Sequence, residues 1–141
     1  MDVLKASPVG NIERGIALVI DLIITFTIAL SLNLAFFHEI AISFLGIATG
    51  FSYFYAVFLP LFWNGYTIGK RIVGIRIANV SGEKLTMGTM VIREILVRNL
   101  LYYIAFGILT FVSIYLISTR NDKRSIHDLL SGTYVTSNLP E

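Results

Sequence analysis

The sequence predicts an all-α fold: a small polytopic transmembrane helical bundle with a short cytoplasmic β-hairpin element. Three observations predict it. Hydrophobic residues make up 55% of the chain and charged residues only 14%, against about 25% in a soluble domain. Two apolar runs are each long enough to cross a hydrocarbon core of ~30 Å. The Lys and Arg residues fall into the stretches before, between and after the apolar runs, one of which alternates with β-branched residues. At 141 residues the chain is one domain. It has no cysteine, which excludes a disulfide framework, thiol chemistry and a Cys-type metal site.

Residues 1–12 form a polar lead in which Pro8 and Gly10 oppose helix, and Asn11 is the candidate N-cap. The first span runs over about 14–37. Its apolar stretch after Arg14 is about 23 residues, longer than the core of a signal peptide, and the sequence around Phe36 and Phe37 is no small-residue cleavage site. An uncleaved first helix is expected. His38 and Glu39 make a short turn into the second span, about 40–63, which ends in Phe62, Trp63 and Tyr66, an interfacial aromatic belt. Gly46 and Gly50 stand in G-x-x-x-G spacing and allow a close helix approach, to a second subunit or within the chain.

Residues 67–85 read as a strand or hairpin on the membrane surface, with Ser81-Gly82 as the turn. Residues 86–99 read as an interfacial helix capped by Thr86, in which Arg93, Glu94 and Arg98 sit among apolar residues. A third apolar run covers 100–118, and a polar tail covers 119–141.

Charge placement orients the chain. The lead and middle region carry eight of the eleven Lys and Arg residues, and the first loop carries none. The positive-inside rule puts the N-terminus in the cytoplasm of a multi-pass protein of the cell membrane. Two paths are open for 100–118. A full span leaves the three basic tail residues outside. A re-entrant excursion, broken near Gly107, keeps all eleven inside and lets the β-like 132–136 pair with the strand near Ile75. The second path is favoured slightly.

Two polar constellations stand out. Arg14 and Asp21 lie seven residues apart on one helix face, about 10 Å along the axis. A charge at mid-membrane costs at least ~2.5–3.5 kcal/mol on insertion scales, so Asp21 calls for a partner or a purpose. It is either a cation- or proton-binding carboxylate or half of a structural ion pair with Arg14, Arg93 or Arg98. Thr25, one turn on, is either an oxygen ligand or a back-bonding hydroxyl. In the tail, Ser125 and Asp128 have capping-box spacing with Gly132 as a helix stop, and His127 is a candidate proton relay or a structural neighbour.

Gly65, Thr67, Gly69, Lys70 and Arg71 give G-x-x-x-G-K-R, which fails the phosphate-loop pattern. The glycines read as a turn leaving the membrane, and Lys70 and Arg71 as contacts to lipid headgroups. No nucleophile–base set, metal quartet, cofactor motif or nucleic-acid motif is visible, so an enzyme is not expected and cofactors and metals are none.

The arginine opening the first helix, the aspartate within it, the G-x-T-x-G-K turn followed by V-G-I-R-I, and the terminal H-D-L-L-x-G-T-x-V together resemble the RDD family, named for one arginine and two aspartates. The matching positions are Arg14, Asp21 and Asp128, with Gly65, Thr67, Gly69 and Lys70 in the turn and His127, Gly132 and Thr133 in the tail motif. The resemblance implies a small multi-spanning membrane protein. It also implies a transport role, since some members are described as cation/proton antiporters. The function expected is therefore secondary transport of a monovalent cation, Na⁺ or similar, against protons, through a homo-oligomer among membrane lipids. The alternative is a non-transporting assembly, scaffolding or stress-resistance module in which Arg14, Asp21 and Asp128 form a structural ion network.

Overall fold

A computed structural model describes residues 7–38, 43–95 and 107–139. Two long helices dominate: α1, Asn11–Phe37, and α2, Ser43–Phe62. Both are long and apolar enough to cross a membrane. They run antiparallel, as Phe26 meets Phe44 edge-on at 5.3 Å near one end and Asp21 meets Tyr55 nearer the other. The buried residues of α1 are Ala17, Asp21, Thr25, Ala29 and Asn33, spaced by four on one face. Ile16, Val19, Ile23 and Phe26 are exposed on the rest of the helix, an apolar surface suited to lipid.

The start of α1 differs from expectation. The helix begins at Asn11, its N-cap is Gly10, and no side chain caps it. The Asn11 amide instead donates to the carbonyl of Ile114 (3.1 Å) and to Ser118 Oγ (2.7 Å). A bond to another helix has displaced the local cap.

The segment 67–85 is corrected more deeply. Residues Ile68–Val73 form a helix, α3, and only Arg76–Asn79 is strand, β1. The β-branched Ile68, Ile72 and Val73 suggested a strand, but Thr67 caps the helix by accepting from Lys70 N–H, and Gly74 stops it with φ 81. No local hairpin forms. β1 pairs antiparallel with β2, Thr133–Thr136, in the register Ile77 to Val135. The lead joins them, since Val9 N–H donates to the Val135 carbonyl at 3.0 Å.

Thr86 caps the next helix as expected, but α4 is short, Met87–Val91, and 92–95 winds into a wider π-turn that contains Arg93 and Glu94. Residues 96–106 lie outside the described residues, and with them Arg98 and the first part of the third apolar run. Beyond Gly107, α5 covers Ile108–Thr119, α6 covers Ile126–Ser131, and β2 follows. α5, with 12 residues, is about 18 Å long and falls short of a hydrocarbon core.

One apolar cluster joins these parts: Val9, Ala17, Val57, Ile75, Ile77, Met90 and Val135. It draws on the lead, both long helices, α4 and both strands. The start of α1, the end of α2, α3, the sheet and α6 therefore gather into one cap at one end of the helix pair. Gly65 admits β1 to this cluster: its carbonyl accepts from Ile77 N–H at 2.9 Å, and a side chain at 65 would strike the Ile77 backbone. Gly46 and Gly50 face open space among the described residues, so the contact between α1 and α2 does not run through them.

Candidate functional site

The cap holds two buried carboxylates with different surroundings. Asp21 lies on the inner face of α1 and is 9% exposed. Its Oδ1 accepts from the Tyr55 hydroxyl (2.7 Å) and from Gly69 N–H (2.7 Å), and its Oδ2 accepts from the Thr67 hydroxyl (2.5 Å). Thr67 and Gly69 belong to the opening of α3, and Tyr55 to α2. The first N–H groups of a helix have no partner within it. Here Ile68 N–H donates to Tyr55 Oη (2.9 Å), Gly69 N–H to Asp21, and Lys70 N–H to Thr67 Oγ1 (3.3 Å). Asp21 is thus a remote cap for α3, supplied by α1.

Glycine at 69 is what permits this approach. A Cβ there would run into the Ala17 carbonyl and come within 2.8 Å of the Asp21 carboxylate. The turn 65–70 cradles an aspartate. Arg71 stacks its guanidinium over Tyr66 (4.6 Å) and Trp63 (5.8 Å). Thr25 back-bonds to the carbonyls of Asp21 (2.8 Å) and Leu22 (3.2 Å).

Arg14 does not reach Asp21. It leans toward the cap, where its Nη1 donates to Asp128 Oδ2 at 2.6 Å, its Nη2 to the Lys123 carbonyl at 2.7 Å and its Nε to the Val9 carbonyl at 3.2 Å. Shared helix phase misled here, because side chains two turns apart lie too far apart to touch.

Asp128 is fully buried and receives a second arginine, Arg93, on Oδ1. Arg93 also donates to Thr133 Oγ1 (2.6 Å) and pairs with Glu94 (3.2 Å). Among the described residues, Arg14 and Arg93 thus meet the carboxylates of Asp128 and Glu94. The capping box is formed as well, with Asp128 N–H donating to Ser125 Oγ (3.3 Å) and Ser125 N–H to Asp128 Oδ2 (3.0 Å). The capping box expected at Ser125 and Asp128 is present, and the same carboxylate also pairs with two arginines. Arg124 closes the cluster by donating to the carbonyls of Thr133 (3.0 Å) and Asp128 (3.2 Å).

Burial alone would push the Asp128 carboxyl up, but Arg93 and Arg14 outweigh it and hold it well below the usual carboxylate range. His127 Nε2 lies 4.0 Å from Asp128 Oδ1. Burial, aided by the positive charge of Arg93, pushes the imidazole down to about 4. It is therefore neutral near pH 7.

Of the sequence-derived residues, the cap brings together Arg14, Arg93, His127 and Asp128 in one cluster, and Asp21, Thr67 and Gly69 in another. Tyr55, Glu94 and Thr133 were given no role. Tyr55 hides in an aromatic-rich helix beside Phe51, Tyr53 and Phe54, where spacing offers no signal. Thr133 stood in the tail motif, and its proximity to a buried arginine is a tertiary fact.

A relative from Bacillus subtilis (strain 168), named Uncharacterized protein YckC, is 49% identical over 86 residues, covering 61% of this chain and 56% of that protein. The chain thus aligns with little more than half of that relative's length. No solved structure matches the chain. A family model described as "RDD family" matches residues 8–132, a stretch that contains Arg14, Asp21 and Asp128. With most of its length matched and the arginine and both aspartates built into the cap, the chain belongs to the RDD family.

Proposed function

We propose that the chain is a multi-pass protein of the cell membrane that exchanges a monovalent cation, Na⁺ or a relative, for protons at Asp21. One observation carries this reading. Asp21 is a buried carboxylate within an apolar helix, and among the described residues no lysine or arginine pairs with it, whereas Asp128 has two arginines. An intramembrane carboxylate without a fixed counter-charge is open to balance by an exchangeable one, a proton or a metal cation. Four oxygens converge there: both of Asp21, Tyr55 Oη and Thr67 Oγ1. The two hydroxyls can turn from donating to the carboxylate to offering lone pairs to a cation.

The cap faces the cytoplasm in this reading. Arg14, Arg71, Arg76, Arg93 and Arg124 all belong to it, in keeping with the positive-inside rule. α5 then ends on the cytoplasmic side, where Ser118 accepts from Asn11 at the start of α1. Arg71, over the Trp63 and Tyr66 rings, and its chain neighbour Lys70 meet anionic headgroups. Two long helices enclose no pathway, so a homo-oligomer is part of the proposal.

A second reading is favoured by Gly69 N–H. This donor is fixed and cannot become a cation ligand, and with three donors Asp21 is a well-satisfied structural clamp. The chain would then be a non-transporting membrane module. Everted vesicles separate the two: Na⁺, Li⁺ or K⁺ should dissipate an imposed pH gradient in wild type and not in Asp21→Asn. Gradients untouched by any of the three ions in wild type would favour the module.

A further inference from the structure

α1 buries five residues on one face, and three of them are polar. Asp21 and Thr25 have partners. Asn33 is 0% exposed, yet among the described residues neither its Nδ2 nor its Oδ1 has a hydrogen-bond partner. Nothing in the use of Asp21 or Asp128 accounts for it. An asparagine amide offers two donors and an acceptor, and a buried polar group is normally satisfied by protein or by ordered water. An apolar occupant leaves both atoms orphaned. Water, or a cation with its water, satisfies them.

Asn33 lies on the same face as Asp21 and about 18 Å further along the helix axis, toward the end remote from the cap. Between them stand Thr25, whose hydroxyl oxygen keeps a lone pair after donating to the Asp21 carbonyl, and Ala29, which adds only a methyl group. The outward neighbours Phe26, Leu32 and Leu34 are apolar and partly exposed. The buried face of α1 therefore carries three polar side chains, Asp21, Thr25 and Asn33, along its length.

We infer that Asn33 holds water or a hydrated monovalent cation at the end of α1 remote from the cap, at the head of a polar face leading to Asp21. The link to ion exchange rests on the function proposed for Asp21; the hydration does not. In the exchange reading, Asn33 is the station through which the ion enters from the side opposite the cytoplasmic cap.

The chain has no cysteine, so a single introduced thiol is its only one. Full-length Asn33→Cys, Leu32→Cys and Val19→Cys in membranes are treated with a positively charged methanethiosulfonate, which needs a wet thiolate. The thiol at 33 is expected to react at least tenfold faster than those at 32 and 19, which face lipid. A rate at 33 no faster than at 32 overturns the inference. Asn33→Leu serves as a second variant: in vesicles that exchange, the Na⁺ concentration for half-maximal exchange is expected to rise several-fold with protein level unchanged. An unchanged value would cut the link to exchange. Absence of exchange in wild type would overturn the role of Asp21 while the labelling rate still decides the hydration.

Discussion

Asp21 and Asp128 are the same residue type, both buried, in one cap, and they are held in opposite ways. Asp128 sits between two arginines and closes a capping box, so its charge is balanced by groups fixed to α1 and the π-turn. Asp21 sits among two hydroxyls and one amide N–H, and among the described residues no arginine or lysine pairs with it. A buried ion whose counter-ions are covalently part of the chain serves to join elements; removing one partner strands the others. A buried carboxylate held by neutral donors keeps its place whether or not its charge changes. The difference assigns joining to Asp128 and supports the exchange proposed for Asp21.

The strongest way to break this contrast is through Asp128. Asp128→Asn leaves Arg14 and Arg93 facing each other with no carboxylate between them, and costs about 3–5 kcal/mol. Thermal unfolding in detergent, or the amount of protein in the membrane, reads this. A variant as stable as wild type would remove the joining role.

The acid limb comes next. His127 binds its proton less readily in the folded chain, at about 4, than the ~6.5 of a free imidazole. Its contribution is complete above pH ~6.5 and is lost as pH falls toward 4, a decline of roughly 3 kcal/mol. Asp128, held lower still, adds its own loss only below the usual carboxylate range of ~4. His127→Gln should flatten the limb between pH ~6.5 and ~4 and leave the steeper fall below it. An identical limb in that variant would place the titration elsewhere.

Glycines give a smaller contrast. Gly69→Ala pushes a methyl against the Ala17 carbonyl and the Asp21 carboxylate and should cost about 1–3 kcal/mol. Gly46→Ala and Gly50→Ala meet open space within the chain and should stay within about 0.5 kcal/mol. Should the α2 pair prove the costly one, the close approach lies between subunits and not at Asp21.

The sequence carried the frame of this picture and half of the site. Two apolar helices follow from run length, and the Ser125–Asp128 box and the Thr86 cap follow from local spacing, since such features need only neighbours in the chain. The pairing of 132–136 with the strand near Ile75 was legible because two β-branched stretches each needed a partner. What escaped is tertiary. Residues 68–73 look like strand by composition, yet their N–H groups are capped from α1 and α2. Arg14 and Asp21 share a helix phase, yet each finds its partner more than 30 residues away, in Asp128 and in Tyr55, Thr67 and Gly69.

The division between the two aspartates is tested most directly by Asp21→Asn in everted vesicles at matched protein level. The asparagine keeps an acceptor for Tyr55 and Gly69, so the cap should stay folded. Cation-dependent dissipation of the pH gradient is expected to fall at least tenfold, with unfolding temperature near that of wild type. Undiminished exchange in that variant, or an unfolding temperature that drops as far as in Asp128→Asn, would contradict it.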